Sequence, residues 1–296
     1  MTRPVAAPRP RIPLLRWAGT ILSVALLVYL LYRQGWDEIG AAFKEISGWR
    51  LLLAFGLLVV SRLAVSGRWH VLLRSAGIGI SPWQSLRITF AGLFANNILP
   101  TTIGGDVVRL GGTLRLGFDQ AVCLASLVAD RLVGMTGMAM ALPFGLPVFL
   151  KSGTGLGFSA GLAASGVIMP GGGLLRRLRE KGAAAVRRVL QALSLWISRP
   201  KSLLLALGFT WIHMICLFSV FWLLLDDMDQ TVPILLVGGL ESISYFITLL
   251  PVSINGLGVQ ELSIAVLFSA YGGASQESGL TLAILYRTLM LFASLP

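Results

Sequence analysis

Apolar residues run along this chain in stretches near the length of about 20 residues that one bilayer crossing needs. Six of them read as helices: Leu14–Tyr32, Trp49–His70, Ala121–Leu142, Leu156–Met169, Ser202–Leu225 and Gly279–Leu295. Two further stretches are interrupted. Trp83–Leu99 stops at Asn96-Asn97-Ile98-Leu99-Pro100 and resumes over Asp106–Gly117, and Val232–Leu250 stops at Pro251 and resumes over Gln260–Tyr271.

The interruptions share one plan. Asn97–Arg109 (NILPTTIGGDVVR) and Leu249–Glu261 (LLPVSINGLGVQE) each run into Leu-Pro, cross a Ser/Thr/Asn/Gly turn and resume as a charged helix. Lipid offers open backbone no hydrogen bonds, so such turns survive at membrane depth only against protein or a watery cavity. Each broken stretch therefore reads as a re-entrant helical hairpin. The first enters from the side on which Trp49–His70 ends, through Arg62, Arg68, His70 and Arg74; the second enters from the opposite side. Arg131 follows Pro100 by 31 residues and Arg287 follows Pro251 by 36. The predicted fold class is all-α, a polytopic transmembrane bundle of about six spans plus two re-entrant hairpins in an inverted repeat. Paired interruptions in two halves point to the binding site of a transporter.

Composition agrees with a membrane class: 55% of residues are apolar, 12% are charged and mean hydropathy is +0.80. The basic residues behind the net charge of +11 cluster before and at the start of the first span (Arg3, Arg9, Arg11, Arg16) and between the fourth and fifth (Arg176 to Lys201). That is the positive-inside pattern and predicts no nucleic-acid partner. It predicts a cytoplasmic N-terminus, and the expected location is a bacterial inner (plasma) membrane. Residues 1–13 read as a disordered cytoplasmic tail and 14–296 as a single membrane domain, with 170–201 a basic amphipathic cytoplasmic segment. The run 14–32 ends without a small-residue cleavage site and is expected to be retained. Gly/Pro/Lys sequence over 143–155 is expected to turn the chain on the far side.

Candidate chemistry lies in the few charges at depth. Asp130 and Arg131 fall within the third span, where an ionised group is costly unless it pairs or faces water. Adjacent helical residues point about 100° apart, so Arg131 is expected to pair with another element, Asp106 for example. The alternative for Asp130 and Arg131 is an internal pair fixing helix packing. Arg287 has Glu261 or Glu241 as natural partners. A guanidinium fork fits phosphate oxygens, and the helix N-termini after the breaks favour an anion. Arg131 and Arg287 are expected to meet a lipid phosphate in one cavity between the hairpins. Asn97 and Asn255, with Thr101, Thr102 and Ser253, either contact ligand or satisfy freed backbone groups. Cys123 and Cys216 read as buried small hydrophobes. No metal cluster, nucleophile elbow, phosphate loop or dinucleotide fingerprint appears, so no cofactor, metal or catalytic residue is predicted.

NILPTTIGGDVVR, the Asp130-Arg131 pair and LPVSINGLGVQE, taken in order, resemble the transmembrane region of lysylphosphatidylglycerol synthases, a large flippase-like family of bacterial and archaeal membrane proteins. The resemblance covers about residues 50–296. It implies movement of aminoacylated, other anionic or polyprenyl-linked lipids between leaflets, and it carries over Arg109, Asp130, Arg131 and Glu261 as functional positions. Asp106 stands where many relatives carry Glu. No soluble aminoacyl-transferase domain follows Pro296 in this sequence, so lysyl transfer is not expected of it. The expected partners are membrane lipids, an anionic phospholipid or a lipid-linked head group, with a lipid-biosynthesis enzyme as a further one. Two rivals stay open: a membrane-embedded lipid transferase using Asp130 or Glu261 as base, and a non-transporting accessory subunit.

Overall fold

The computed structural model describes residues 46–98, 104–151, 196, 198–249, 256 and 258–295. Expectations for the tail, the spans 14–32 and 156–169, the basic segment up to 195, and the turns bearing Pro100, Pro251 and Asn255 lie outside those residues. The described residues form eight α-helices and no strand. They are α1 (Gly48–Ser75), α2 (Pro82–Ile98), α3 (Gly104–Arg115), α4 (Gln120–Lys151), α5 (Pro200–Asp227), α6 (Ile234–Thr248), α7 (Val259–Tyr271) and α8 (Gln276–Ala293). Among them 48–75, 120–148 and 200–227 are long and apolar enough to cross a membrane. Gly279–Leu295, expected as a span, is the 18-residue α8 carrying Glu277 and Arg287 and falls short of those three in apolar character.

Local chemistry sets the helix ends. α1 stops at Gly77 (φ +90°), where the Gly77 and Ile78 amides bond back to the Arg74 and Leu73 carbonyls. This is the closed C-terminal turn that a left-handed residue permits. α2 starts on a reciprocal cap: Ser81 N donates to Gln84 Oε1 (3.0 Å) and Gln84 N to Ser81 Oγ (3.2 Å), with Pro82 next.

The expected turn at Pro143 does not occur there. α4 continues through Pro143 and Pro147 to Lys151. Proline removes a single helical donor and crowds one carbonyl, and helices packed in membranes tolerate this. The continuation is what brings Gly145 against Gly239 of α6. A Cβ on Gly145 would stand 2.6 Å from the Gly239 carbonyl carbon.

Paired contacts fix the helix directions. α1 and α5 are antiparallel: Arg50 meets Asp226 (2.8 Å), Ser61 Oγ meets His213 Nδ1 (2.6 Å), and Gly67 lies under the Phe209 ring. α4 also opposes α1, through Trp69 Nε1 to Ser126 Oγ (3.2 Å) and Arg68 to Asp130 (2.6 Å). In the pair α2–α3, Gly112 faces Ile88 and Gly105 faces Gly92, so α3 runs back along α2. In the pair α6–α7, Gly272 faces Leu240 and Gly256 faces Thr248. The α2–α3 pair opens at the bundle end holding Ser75 and Trp196, whose indole donates to Leu72 O (3.1 Å). The α6–α7 pair opens at the end holding Asp227, where Gln230 Oε1 accepts from Ser275 N (2.9 Å).

The main apolar core lies among α1, α5, α6, α7 and α8, around Leu58, Phe221, Leu240, Phe268 and Leu282. The Phe221 ring packs on Phe268 (5.6 Å) and Tyr286 (4.7 Å). Leu52, Leu204 and Ile215 point outward, more than 60% exposed. For a bundle in hydrocarbon that is the expected surface, because the surrounding medium is as apolar as the side chains.

Candidate functional site: an ion-pair chain and an arginine cavity

Five charged side chains from α1, α3 and α4 form one connected network. Asp130, 2% exposed, accepts from Arg68 Nε through Oδ1 (2.6 Å) and from Arg109 Nη2 through Oδ2 (3.0 Å). Arg68 also donates to Thr210 Oγ1 on α5 (3.3 Å). Asp106, in the first turn of α3, accepts from Arg109 Nη1 (3.4 Å) and from Arg131 Nε (2.6 Å). The Arg109 guanidinium stacks 4.2 Å over the Trp69 ring, a cation–π contact. Every carboxylate oxygen of the network therefore meets a guanidinium donor. Buried charges persist on such terms, since removing one partner strands the other.

The expected bond between Arg131 and Asp106 is present. The expectation that α1 exits the bundle through Arg62 and Arg68 is not met: both are buried, and the helix continues to Ser75. The basic residues 62, 68, 70 and 74 look alike in sequence, and only packing against α4, α5 and α8 separates the interior pair from Arg74.

A second set of polar groups surrounds the start of α7. Glu261 Oε2 accepts from Gly258 N (2.8 Å), completing the helix cap, and its Oε1 lies 3.4 Å from Arg287 Nε. Arg287 Nη1 donates to Gln260 Oε1 (3.1 Å). Gln260 and Arg287 border a cavity of about 160 Å³ whose lining also includes Arg62, Asn96, Tyr286 and Ser294. Leu93, Met290 and Leu291 supply its apolar wall.

Arg62 is the unusual member. Its Nη2 donates to the Met290 sulfur (2.6 Å), a weak acceptor, and its Nε meets no acceptor. Among the described residues it pairs with no carboxylate. Asn96 uses Oδ1 to accept from Gly105 N (2.7 Å), capping α3, and its side chain also borders the cavity. The cavity thus joins α1 and α2 to α7 and α8.

The structure divides the sequence-predicted residues between these places. Asp106, Arg109, Asp130 and Arg131 are in the network. Glu261 and Arg287 are beside the cavity, which Arg131 does not line. The Asn97 side chain and Asn255 lie outside the described residues. Glu241, offered as a partner for Arg287, is buried in α6, and its Oε2 has no donor. Sequence reasoning missed Arg62 and Asn96. A charge near the middle of an apolar run was the available signal for Arg62. No group of three or more His, Cys, Asp or Glu side chains suited to a metal occurs among the described residues.

The family model for the lysylphosphatidylglycerol synthase TM region matches residues 16–296. The chain belongs to that family. It is accordingly a multi-pass membrane protein. It is also similar to a UPF0104 membrane protein of Archaeoglobus fulgidus, 29% identical over 133 residues, which is 45% of this chain and 39% of that relative. In this family member the polar groups at depth thus fall into a network whose carboxylate oxygens are all paired, with Arg109 Nε its one buried donor left without an acceptor, and a cavity bordered by Arg62, which has no carboxylate partner among the described residues.

Proposed function

We propose that this protein binds the anionic head group of a phospholipid or lipid-linked substrate in the Arg62–Arg287 cavity and carries it between leaflets. The observation that carries the reading is Arg62: a buried guanidinium with an unused donor, facing a cavity beside a second arginine. A buried unpaired cation is costly, and a phosphate would satisfy it with a fork of charge-assisted bonds. At roughly 30 Å³ per water, a space of 160 Å³ takes about five waters or one compact head group.

The helix order supports a carrier. α1–α4 and α5–α8 each comprise a long helix, a helical hairpin and a closing helix, and the hairpins open at opposite bundle ends. We read them as an inverted repeat around the cavity, the arrangement in which one unit rocks against the other. Charge supports the orientation: Arg74, Arg115, Arg199 and Lys201 mark one end, and Asp226, Asp227, Asp229 and Glu277 the other. On the positive-inside rule we read the basic end as cytoplasmic, and we read the membrane as a bacterial inner membrane. We read it as a carrier rather than an enzyme, since Glu261 is committed to Arg287 and the Gly258 amide.

Liposomes bearing purified protein and fluorescent phosphatidylglycerol test the reading by quenching of the outer leaflet over time. Wild type is expected to speed leaflet exchange, and Arg62→Met or Arg287→Met to slow it at least tenfold. Absence of acceleration by wild type, or equal rates for wild type and Arg62→Met, would overturn it.

A further inference from the structure

The polar wall of the arginine cavity has a direction. Its two amide oxygens are already engaged: Asn96 Oδ1 accepts from Gly105 N (2.7 Å) and Gln260 Oε1 from Arg287 Nη1 (3.1 Å). What each amide has left in full is its NH2, a donor. Arg62 Nε meets no acceptor, and a guanidinium has no acceptor of its own to offer. The other polar members, Tyr286 and Ser294, are hydroxyls without charge, and Ser294 Oγ gives its proton to Met290 O (2.7 Å).

No carboxylate lines the cavity among the described residues. Glu261 stands behind Arg287, at 3.4 Å, and its other oxygen is held by Gly258 N. The interrupted segments 97–105 and 249–260 contain no Asp or Glu, so neither can add one. Two guanidiniums therefore border the cavity, one of them is paired, and a single positive charge is left without its counterpart.

We infer that the cavity selects lipids whose only charge is one phosphodiester and excludes those whose head group also carries an amine, aminoacylated phospholipids included. This rests on the head-group reading above and narrows it. One phosphodiester supplies one negative charge and oxygens that only accept, which matches the wall in both charge and direction. An ammonium on the same head group would lie among N–H donors and guanidiniums, a buried cation with no charged acceptor. Exclusion then comes from a mismatch built against the wrong ligand. Asn96 and Gln260 determine specificity in this scheme, because each could supply a carboxylate by a change of one atom and neither does.

Calorimetric titration of the full-length protein in phosphatidylcholine nanodiscs tests the inference with three probes. They are dioctanoyl-phosphatidylglycerol, its lysyl ester, and that ester with both amines acetylated, which keeps the bulk and removes the ammonium groups. Wild type is expected to bind the first, to bind the lysyl ester at least about tenfold more weakly, as like charges brought together require, and to recover most of the affinity with the acetylated ester. Equal binding of phosphatidylglycerol and its lysyl ester overturns the inference alone. So does an acetylated ester as weak as the lysyl ester, since bulk would then be what excludes it. Absence of binding of all three overturns the head-group reading and the inference with it. Gln260→Glu keeps the oxygen that Arg287 uses and turns the NH2 into a charged acceptor. It is expected to shift the preference toward the lysyl ester by about tenfold or more. Asn96→Asp makes the same change from α2 and serves if Gln260→Glu does not fold. An unchanged preference in a folded variant counts against the inference.

Discussion

Arg62 and Arg68 stand six residues apart on α1 and end in opposite circumstances. Arg68 donates to the Asp130 carboxylate at 2.6 Å, whereas Arg62 donates to the thioether of Met290. Six residues turn a helix by about 240°, so the two side chains leave α1 in different directions. One enters the network with α4, and the other enters the cavity with α8. The first arginine is held by the fold. The second is left available.

That difference predicts opposite responses to mutation. Asp130→Ala strands Arg68 and leaves Arg109 with only Asp106 at 3.4 Å, and breaking a buried pair this way costs about 3–5 kcal/mol. Arg62→Met removes a buried charge that lacks a carboxylate and puts a thioether beside Met290. Its stability is expected to be unchanged or to rise by on the order of 1–3 kcal/mol. Unfolding titrations in mixed detergent micelles with sodium dodecyl sulfate measure both. A destabilised Arg62→Met protein would show that Arg62 is structural.

Much of the architecture was legible because hydrophobic run length and Leu-Pro breaks are strong local signals. α2, α3, α6 and α7 fall within two residues of their expected starts and ends, and the Arg131–Asp106 bond followed from the 100° step between neighbours. Helix continuation through Pro143 was not legible, because a proline stops a helix in isolation but not where Gly145 docks on Gly239. Nor could sequence assign Asp130 its partners: Arg68 and Arg109 lie 62 and 21 residues away, and only helix packing makes them neighbours. Arg62 stayed hidden among the basic residues of one helix, since burial is a property of the assembled bundle.

The Gly145–Gly239 crossing gives a packing prediction. A Cβ on Gly145 would sit 2.6 Å from the Gly239 carbonyl carbon, so α4 and α6 must separate to accept it. Gly145→Val is expected to lose about 1–3 kcal/mol through overpacking. Gly208, in α5, has open space where its Cβ would stand. Gly208→Ala should gain about 0.5–1 kcal/mol from helix propensity. The same micelle titration ranks them, and equal effects would contradict the close crossing.

Arg131 tests whether network and cavity are separate. Its side chain is 41% exposed, and Asp106 keeps Arg109 within 3.4 Å when Arg131 is removed. Arg131→Ala is therefore expected to cost no more than about 1 kcal/mol, as for exposed pairs. Its affinity for dioctanoyl-phosphatidylglycerol should fall far less than that of Arg62→Met. A larger loss in Arg131→Ala would move the binding site to the network.

Asn96 is the residue through which cap and cavity can be told apart. Its Oδ1 accepts from Gly105 N at 2.7 Å, satisfying an amide at the start of α3, while the side chain borders the cavity. Asn96→Ala loses that acceptor and is expected to cost about 1 kcal/mol, the usual value of such a cap. Asn96→Asp keeps the acceptor and improves the match to the helix dipole, but it brings a carboxylate to the cavity of Arg62 and Arg287. Stability should then hold while affinity for the anionic lipid falls at least tenfold, with zwitterionic lipid unaffected. The carboxylate would satisfy Arg62 from within the protein, leaving less for a phosphate to do. If Asn96→Asp binds the anionic lipid as wild type does, the positive field of the cavity is not what selects its ligand.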